Sequence, residues 1–263
     1  MLTQWAESGV LGFQAHLDSR EVAQMIAQPI HIEARQQQTF RQMMGLHPMP
    51  EWFKPGIPQS WAWTYLAPYI ASCPANSKRL VWQNFPELTV LNQPNSEYKN
   101  ATKSVDTNIT TGYGIVQLST EVPEEEACLL SGEEGADCTP AISQNRSIPL
   151  SYPGRPVHLS WEMPGRPIGP NNSYVTSTMV TDPKYVVWVS QLNVTYSPLT
   201  NISCINNTNY GWTTQPYGET FVGDPAINGT MFIGLTDEDI PYTPFNLSLI
   251  NPHIAALGIY KAG

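Results

Sequence analysis

Residues 185–196 read YVVWVSQLNVTY, a run whose side chains alternate in character with a period of two. Val186, Trp188, Leu192, Val194 and Tyr196 fall on one face, and Gln191, Asn193 and Thr195 on the other. Only an extended strand separates residues in that way, so the stretch predicts a half-buried β-strand with Asn193 outward. VHLSWEM (157–163), TMFIGL (230–235) and FNLSLI (245–250) are further strand candidates, and Asn228-Gly229 is a hairpin-turn pair. The chain carries 24 prolines and 18 glycines, and the turn pairs between the strand candidates lie where those residues crowd. The expected fold from residue 56 onward is mainly β, an antiparallel β domain with long loops. SWAWTYLAPYIASCPA (60–75) has too many prolines and tyrosines for a signal-peptide core and is expected to form a buried β or loop segment.

The texture is different before residue 55. LDSREVAQMIAQPIHIEARQQQTFRQMM has helical spacing: Val22, Met25, Ile26 and Ile30 share a face, and Asp18 is placed to cap with Glu21 three residues on. Pro29 is expected to break or kink the run, Gly45 to end it, and HPMPEWFKPGIP to act as a linker. Residues 1–55 are therefore expected to form a short helical, leader-like or separate segment, and residues 56–263 a glycosylated β-rich domain.

Nine Asn-x-Ser/Thr triplets begin at Asn100, Asn108, Asn145, Asn171, Asn193, Asn201, Asn206, Asn228 and Asn246. Chance placement would give about two or three. Clustering of these residue types in turns enriches such triplets too, but their density points to lumenal glycosylation and a secreted or cell-surface protein. Charged residues make up only 13% of the chain and the net charge is −9, which excludes the basic surface that nucleic-acid binding requires. Four cysteines, Cys73, Cys128, Cys138 and Cys204, allow three disulfide connectivities. The short acidic segment between Cys128 and Cys138 favours a local loop there, leaving Cys73 to Cys204. No signal peptide is visible and no run of apolar residues is long enough to span a bilayer, so a fragment, or a frame that has lost its secretion signal, is expected.

No catalytic constellation emerges. His16, His31, His47, His158 and His253 form no paired metal motif, no cofactor fingerprint is present, and no enzyme activity is expected. Glu124, Glu125, Glu126, Glu133, Glu134, Asp237, Glu238 and Asp239 read as solvated loop charges, with a secreted glycoside hydrolase as the alternative they would support. Trp61, Trp63, Tyr65 and Tyr69 either form an exposed recognition edge or fill a core together with Trp82, Trp161 and Trp188.

The dense triplets, the scarcity of charge, the aromatic segment SWAWTYLAPYIAS, the strand pattern RLVWQNFPELTVLNQ after it and the largely uncharged β-rich remainder resemble the surface subunit of a retroviral envelope glycoprotein of the betaretrovirus-like, endogenous group. That resemblance covers residues 56–263. It implies a truncated surface portion that engages a host cell-surface receptor, with a transmembrane fusion subunit absent from this chain, and secretion or virion display once a signal peptide is supplied. A cellular secreted glycoprotein that serves as a binding module is the alternative reading.

Overall fold

The computed structural model describes residues 2–43, 48–94, 109–111, 114–116, 151–218, 220–222 and 229–262. The helices are α1 (Leu2–Gln14), α2 (Arg20–Met43) and α3 (Gln59–Leu66). The strands are β1 (Glu87–Val90), β2 (Ile109–Thr111), β3 (Gly114–Val116), β4 (Pro156–Glu162), β5 (Pro167–Ile168), β6 (Tyr174–Val175), β7 (Tyr185–Ser190), β8 (Asn193–Pro198), β9 (Thr200–Ile205), β10 (Thr208–Thr214), β11 (Thr230–Thr236) and β12 (Ile254–Lys261). Eight of them form one sheet in the order β8-β7-β11-β12-β1-β4-β10-β9, while β2–β3 and β5–β6 are separate small ribbons. Every pairing in the large sheet is antiparallel except β1 with β12. The expected architecture, an antiparallel β domain preceded by a helical segment, is the observed one.

The sheet is curled. Its two outermost strands, β8 and β9, are consecutive in the chain and are separated by Leu199 alone, whose side chain enters the core. A polar seam closes the curl: Ser197 Oγ lies 2.7 Å from Thr213 Oγ1 and accepts the Trp188 indole N–H at 2.7 Å, and Thr213 donates to the Pro198 carbonyl at 2.8 Å. Inside lie Leu88, Leu159, Trp161, Val186, Trp188, Ile233, Leu235 and Tyr260. Outside, α1 and α3 bury a second layer made by Trp5, Ile57, Trp61 and Tyr65 against Val187, Val189, Phe232 and Leu257. Strands β7, β11 and β12 are thus covered on both faces, which is why they read as continuous apolar runs, whereas β4, covered on one, alternates.

Several expectations are corrected. Residues 185–196 are a tight β-hairpin, because Gln191 takes a left-handed conformation (φ 49°) and its Oε1 accepts the Trp52 and Phe53 N–H groups at 3.0 and 2.9 Å. The reversal pairs Asn193 with Ser190 and turns it to the face of Trp188, half-buried, with its amide donating to the Gly218 carbonyl at 3.3 Å; Leu192 is left exposed in the turn. FNLSLI runs into a 3-10 helix over Leu247–His253, where Asn246 Oδ1 accepts the Thr243 N–H at 2.7 Å and diverts the backbone from a ladder. SWAWTYL is the helix α3, with Trp61 and Tyr65 one turn apart on the face buried against the sheet. Ser19 rather than Asp18 receives the Val22 N–H at the start of α2 (3.2 Å), and the helix continues through Pro29, whose surroundings are exposed to solvent.

Helix α1 approaches its neighbours closely because it has glycine where they meet. A Cβ on Gly12 would stand 2.0 Å from the Ile57 carbonyl oxygen, and one on Gly9 would meet Ala62 at 2.8 Å. Ile57 donates its N–H to the Ser8 carbonyl at 3.1 Å, fixing the linker against the helix.

Candidate functional site

Among the described residues a cleft of about 580 Å³ opens where the helical layer stops short of β1. Its aromatic wall is Trp5, Tyr65 and Tyr69, with the Trp5 ring centroid 5.7 Å from each of the two tyrosines at interplanar angles of 39° and 49°. Helical spacing sets this wall, since Tyr65 sits one turn after Trp61 and Tyr69 follows in the 3-10 turn that extends α3. Tyr65 is held by its hydroxyl, which donates to the Gly258 carbonyl at 3.0 Å, and burial keeps the phenol protonated far above its usual range. Tyr69 is 59% exposed and Trp5 7%, so one ring is free to meet a ligand while the other backs it. The Trp5 indole N–H is buried and has no hydrogen-bond acceptor among the described residues.

The opposite side of the cleft is polar. Glu87 and Thr89 project outward from β1 because Leu88 and Val90 take the inward positions. Arg166 donates its Nε–H to Glu162 Oε2 at 2.6 Å and approaches Glu87 Oε2 at 3.3 Å, so the guanidinium is fixed between two carboxylates and its own charge is compensated. Gln93 ties β12 beneath, donating to the Ile259 carbonyl at 2.6 Å and accepting the Lys261 N–H at 2.8 Å. Aromatic rings on one side and directional polar groups on the other suit a small amphipathic or polyhydroxylated ligand.

A second cluster lies apart from the cleft, where α1 meets the linker. Lys54 Nζ stands 3.5 Å from Glu51 Oε2 and 3.9 Å from Glu7 Oε2, and both carboxylate side chains are almost wholly buried. Glu51 also accepts the Thr230 N–H at 2.7 Å, joining the linker to β11. Burial pushes the Glu7 carboxyl up to about 7; Lys54 opposes this, and Glu51 and Glu33 add to it. One cation facing this group of carboxylates makes protonation of Glu7 the economical way to fold.

The residues singled out by sequence are scattered. Asn171, Asn201, Asn206 and Asn246 are exposed, and Asn206 and Asn207 form the tight turn between β9 and β10 with φ of 50° and 65°. Asn100, Asn108, Asn145, Asn228, Cys128, Cys138 and the acidic residues at 124–126 and 133–134 lie outside the described residues. Asp237 pairs with His253 Nδ1 at 3.0 Å, with Glu238 at 3.7 Å, on a half-exposed corner that does not line the cleft. The expected Cys73–Cys204 bridge is not formed: both are exposed free thiols, one in the loop after α3 and the other on the edge strand β9. No group of three metal-ligating side chains is found among the described residues. Nor does any described helix have the length and apolarity to cross a membrane.

The expected aromatic recognition edge is divided. Trp61, Trp63 and Tyr65 are core, Tyr69 belongs to the cleft, and Trp82 stays 38% exposed. The contribution of Trp5, Glu87 and Arg166 had no signal in the sequence, because each comes from a different segment and only the fold brings them together.

Comparison with known proteins changes the family reading. The chain is 46% identical to Protein rds1 of Schizosaccharomyces pombe over 266 aligned positions, which take in all of this chain and 59% of that relative. The chain thus spans less than two thirds of the length of the curated relative it matches. The relative is a cellular protein, and identity at this level along the whole chain overturns the retroviral envelope reading. The receptor and the fusion subunit depend on that resemblance alone. Its basis was compositional, and crowded triplets, scarce charge and an aromatic, proline-rich segment are properties that unrelated chains share. No family model matches the chain, and no solved structure matches it.

Proposed function

We propose that the chain is a binding module of a cellular protein and that its cleft takes a saccharide. The observation that carries this reading is the wall of Trp5, Tyr65 and Tyr69 facing Glu87, Thr89 and Arg166. A pyranose ring has an apolar C–H face and a rim of hydroxyl groups. The first suits the exposed Tyr69 ring, and the second suits the fixed carboxylate and guanidinium groups. A volume of about 580 Å³ falls in the range of small-ligand sites. The exposed Asn171, Asn201, Asn206 and Asn246 agree with a glycoprotein that works outside the cytosol.

Isothermal titration of the full chain with glucose, cellobiose and laminaribiose tests the reading. Wild type is expected to bind at least one of them, and Tyr69→Ala to weaken that binding about tenfold, the worth of one well-placed aromatic contact, without a change in melting temperature. Absence of binding to all three, or full affinity in Tyr69→Ala, would rule the cleft out as a saccharide site.

A further inference from the structure

The outer face of the sheet is covered by α1 and α3 only over β7, β11 and β12. Beyond the cleft, β1, β4 and β10 continue that face as a surface of half-exposed or exposed side chains. The inward positions of β4 are Val157, Leu159 and Trp161, so His158, Ser160 and Glu162 point outward. In β10 the buried positions are Gly211 and Thr213, so Tyr210 and Trp212 share the outward face.

Register joins these residues to the cleft. Thr89 pairs with Ser160, Ser160 with Tyr210 and Tyr210 with Ser203, giving one continuous row of side chains across β1, β4, β10 and β9. Two strand spacings put Tyr210 about 10 Å from Thr89, and two residues along the strand put Trp212 about 7 Å further. In the adjacent row Trp212 pairs with His158, and their rings stack at 4.6 Å with an interplanar angle of 18°. The stack fixes the plane of the indole while leaving it incompletely buried. Burial and the nearby Arg155 lower the His158 pKa, so the platform is uncharged near neutrality. The row between the cleft and the platform offers hydroxyl groups from Thr89 and Ser160, with Ser203 beyond Tyr210, and the nearby Arg166 is already engaged by Glu87 and Glu162.

Resting on the saccharide reading of the cleft, we infer that the ligand is a chain, a β-linked gluco-oligosaccharide that starts in the cleft and crosses β4 and β10 to a second stacking platform at Trp212 and His158. Aromatic surfaces at both ends with neutral hydrogen-bonding groups between them match alternating apolar ring faces and hydroxyl rims. The all-equatorial β-glucosides present the flattest such faces.

The test is chain length. The full chain is titrated with the cello- and laminari-oligosaccharide series from glucose to the hexaose, by calorimetry and by tryptophan fluorescence. The hexaose of one series is expected to bind at least about tenfold more tightly than its disaccharide, the gain of one further stacking contact. In Trp212→Ala the ratio of hexaose to disaccharide affinity is expected to fall to about one, and in Trp212→Phe, which keeps an aromatic ring, to be largely restored. Tyr210→Ser is the second variant should Trp212→Ala fail to fold, and it too is expected to lower the ratio. A disaccharide that binds as tightly as its hexaose overturns the extended site and leaves the cleft reading standing. A ratio that neither Trp212→Ala nor Tyr210→Ser changes also overturns it. No binding at any length removes both readings.

Discussion

Replacing Glu7 by Gln should flatten the pH dependence of stability in a defined window. Folding raises the Glu7 pKa from 4.5 to about 7, so the native protein holds that proton more tightly than the unfolded chain does. The sign follows directly: the stabilisation is fully present below the unfolded value and is lost as pH rises through the folded one. At about 1.36 kcal/mol per pKa unit the shift corresponds to about 3 kcal/mol across the window. The Glu7 side chain is only 5% exposed, which leaves little solvent to screen it. Urea unfolding of wild type and Glu7→Gln at several pH values between about 4.5 and 8 measures the effect. The stability difference between the two proteins should shift by about 3 kcal/mol in favour of the variant as pH rises. Lys54→Met, which removes the cation that lowers this pKa, should move the window to higher pH. A difference that stays constant across the range would refute the argument, for it would mean that folding leaves the Glu7 pKa where it is in the unfolded chain.

Gly258→Ala should destabilise the fold by about 1–3 kcal/mol or more, because a Cβ there would lie 2.2 Å from the Leu88 carbonyl oxygen and force β1 away from β12; differential scanning calorimetry should show a fall in melting temperature of several degrees. When the chain is expressed behind a signal peptide, peptide mapping after amide-cleaving glycosidase treatment should find Asn171, Asn201, Asn206 and Asn246 more fully occupied than Asn193, whose amide is half-buried and bonded to Gly218; higher occupancy at Asn193 would contradict the hairpin geometry.

The strands that were legible in sequence are those whose two faces differ, such as β4, or whose apolar run is bounded by turn residues, such as β11. Residues 185–196 alternate without a break in sequence, but the two-residue turn inverts parity in space, so side chains that would share one face of a long strand are split between the two faces of the hairpin. SWAWTYL misled for a different reason: its tryptophans follow helical spacing only once Tyr65 and Tyr69 are read with Trp61 rather than with Trp63, and aromatic density alone favours a strand. Of the cleft, sequence offered Tyr65 and Tyr69. Glu87 and Arg166 were invisible, since the 79 positions between them hide an ion pair that only the sheet creates. Glu7 stood as the sole charge in an otherwise uncharged helix, and that isolation was a signal of burial.

The place of β12 has a consequence for how the molecule assembles. It lies between β11 and β1, and its partner β1 is formed by residues some 170 positions earlier. During synthesis the hairpin of β7 and β8 and that of β9 and β10 can close locally, but each then belongs to a half-sheet with one unpaired flank. Only when β12 emerges do the halves share a ladder, through its antiparallel edge to β11 and its parallel edge to β1. Folding of the barrel-like core is therefore a late, nonlocal event, and a nascent chain stopped after β11 would expose two sheet edges of the kind that recruit other strands.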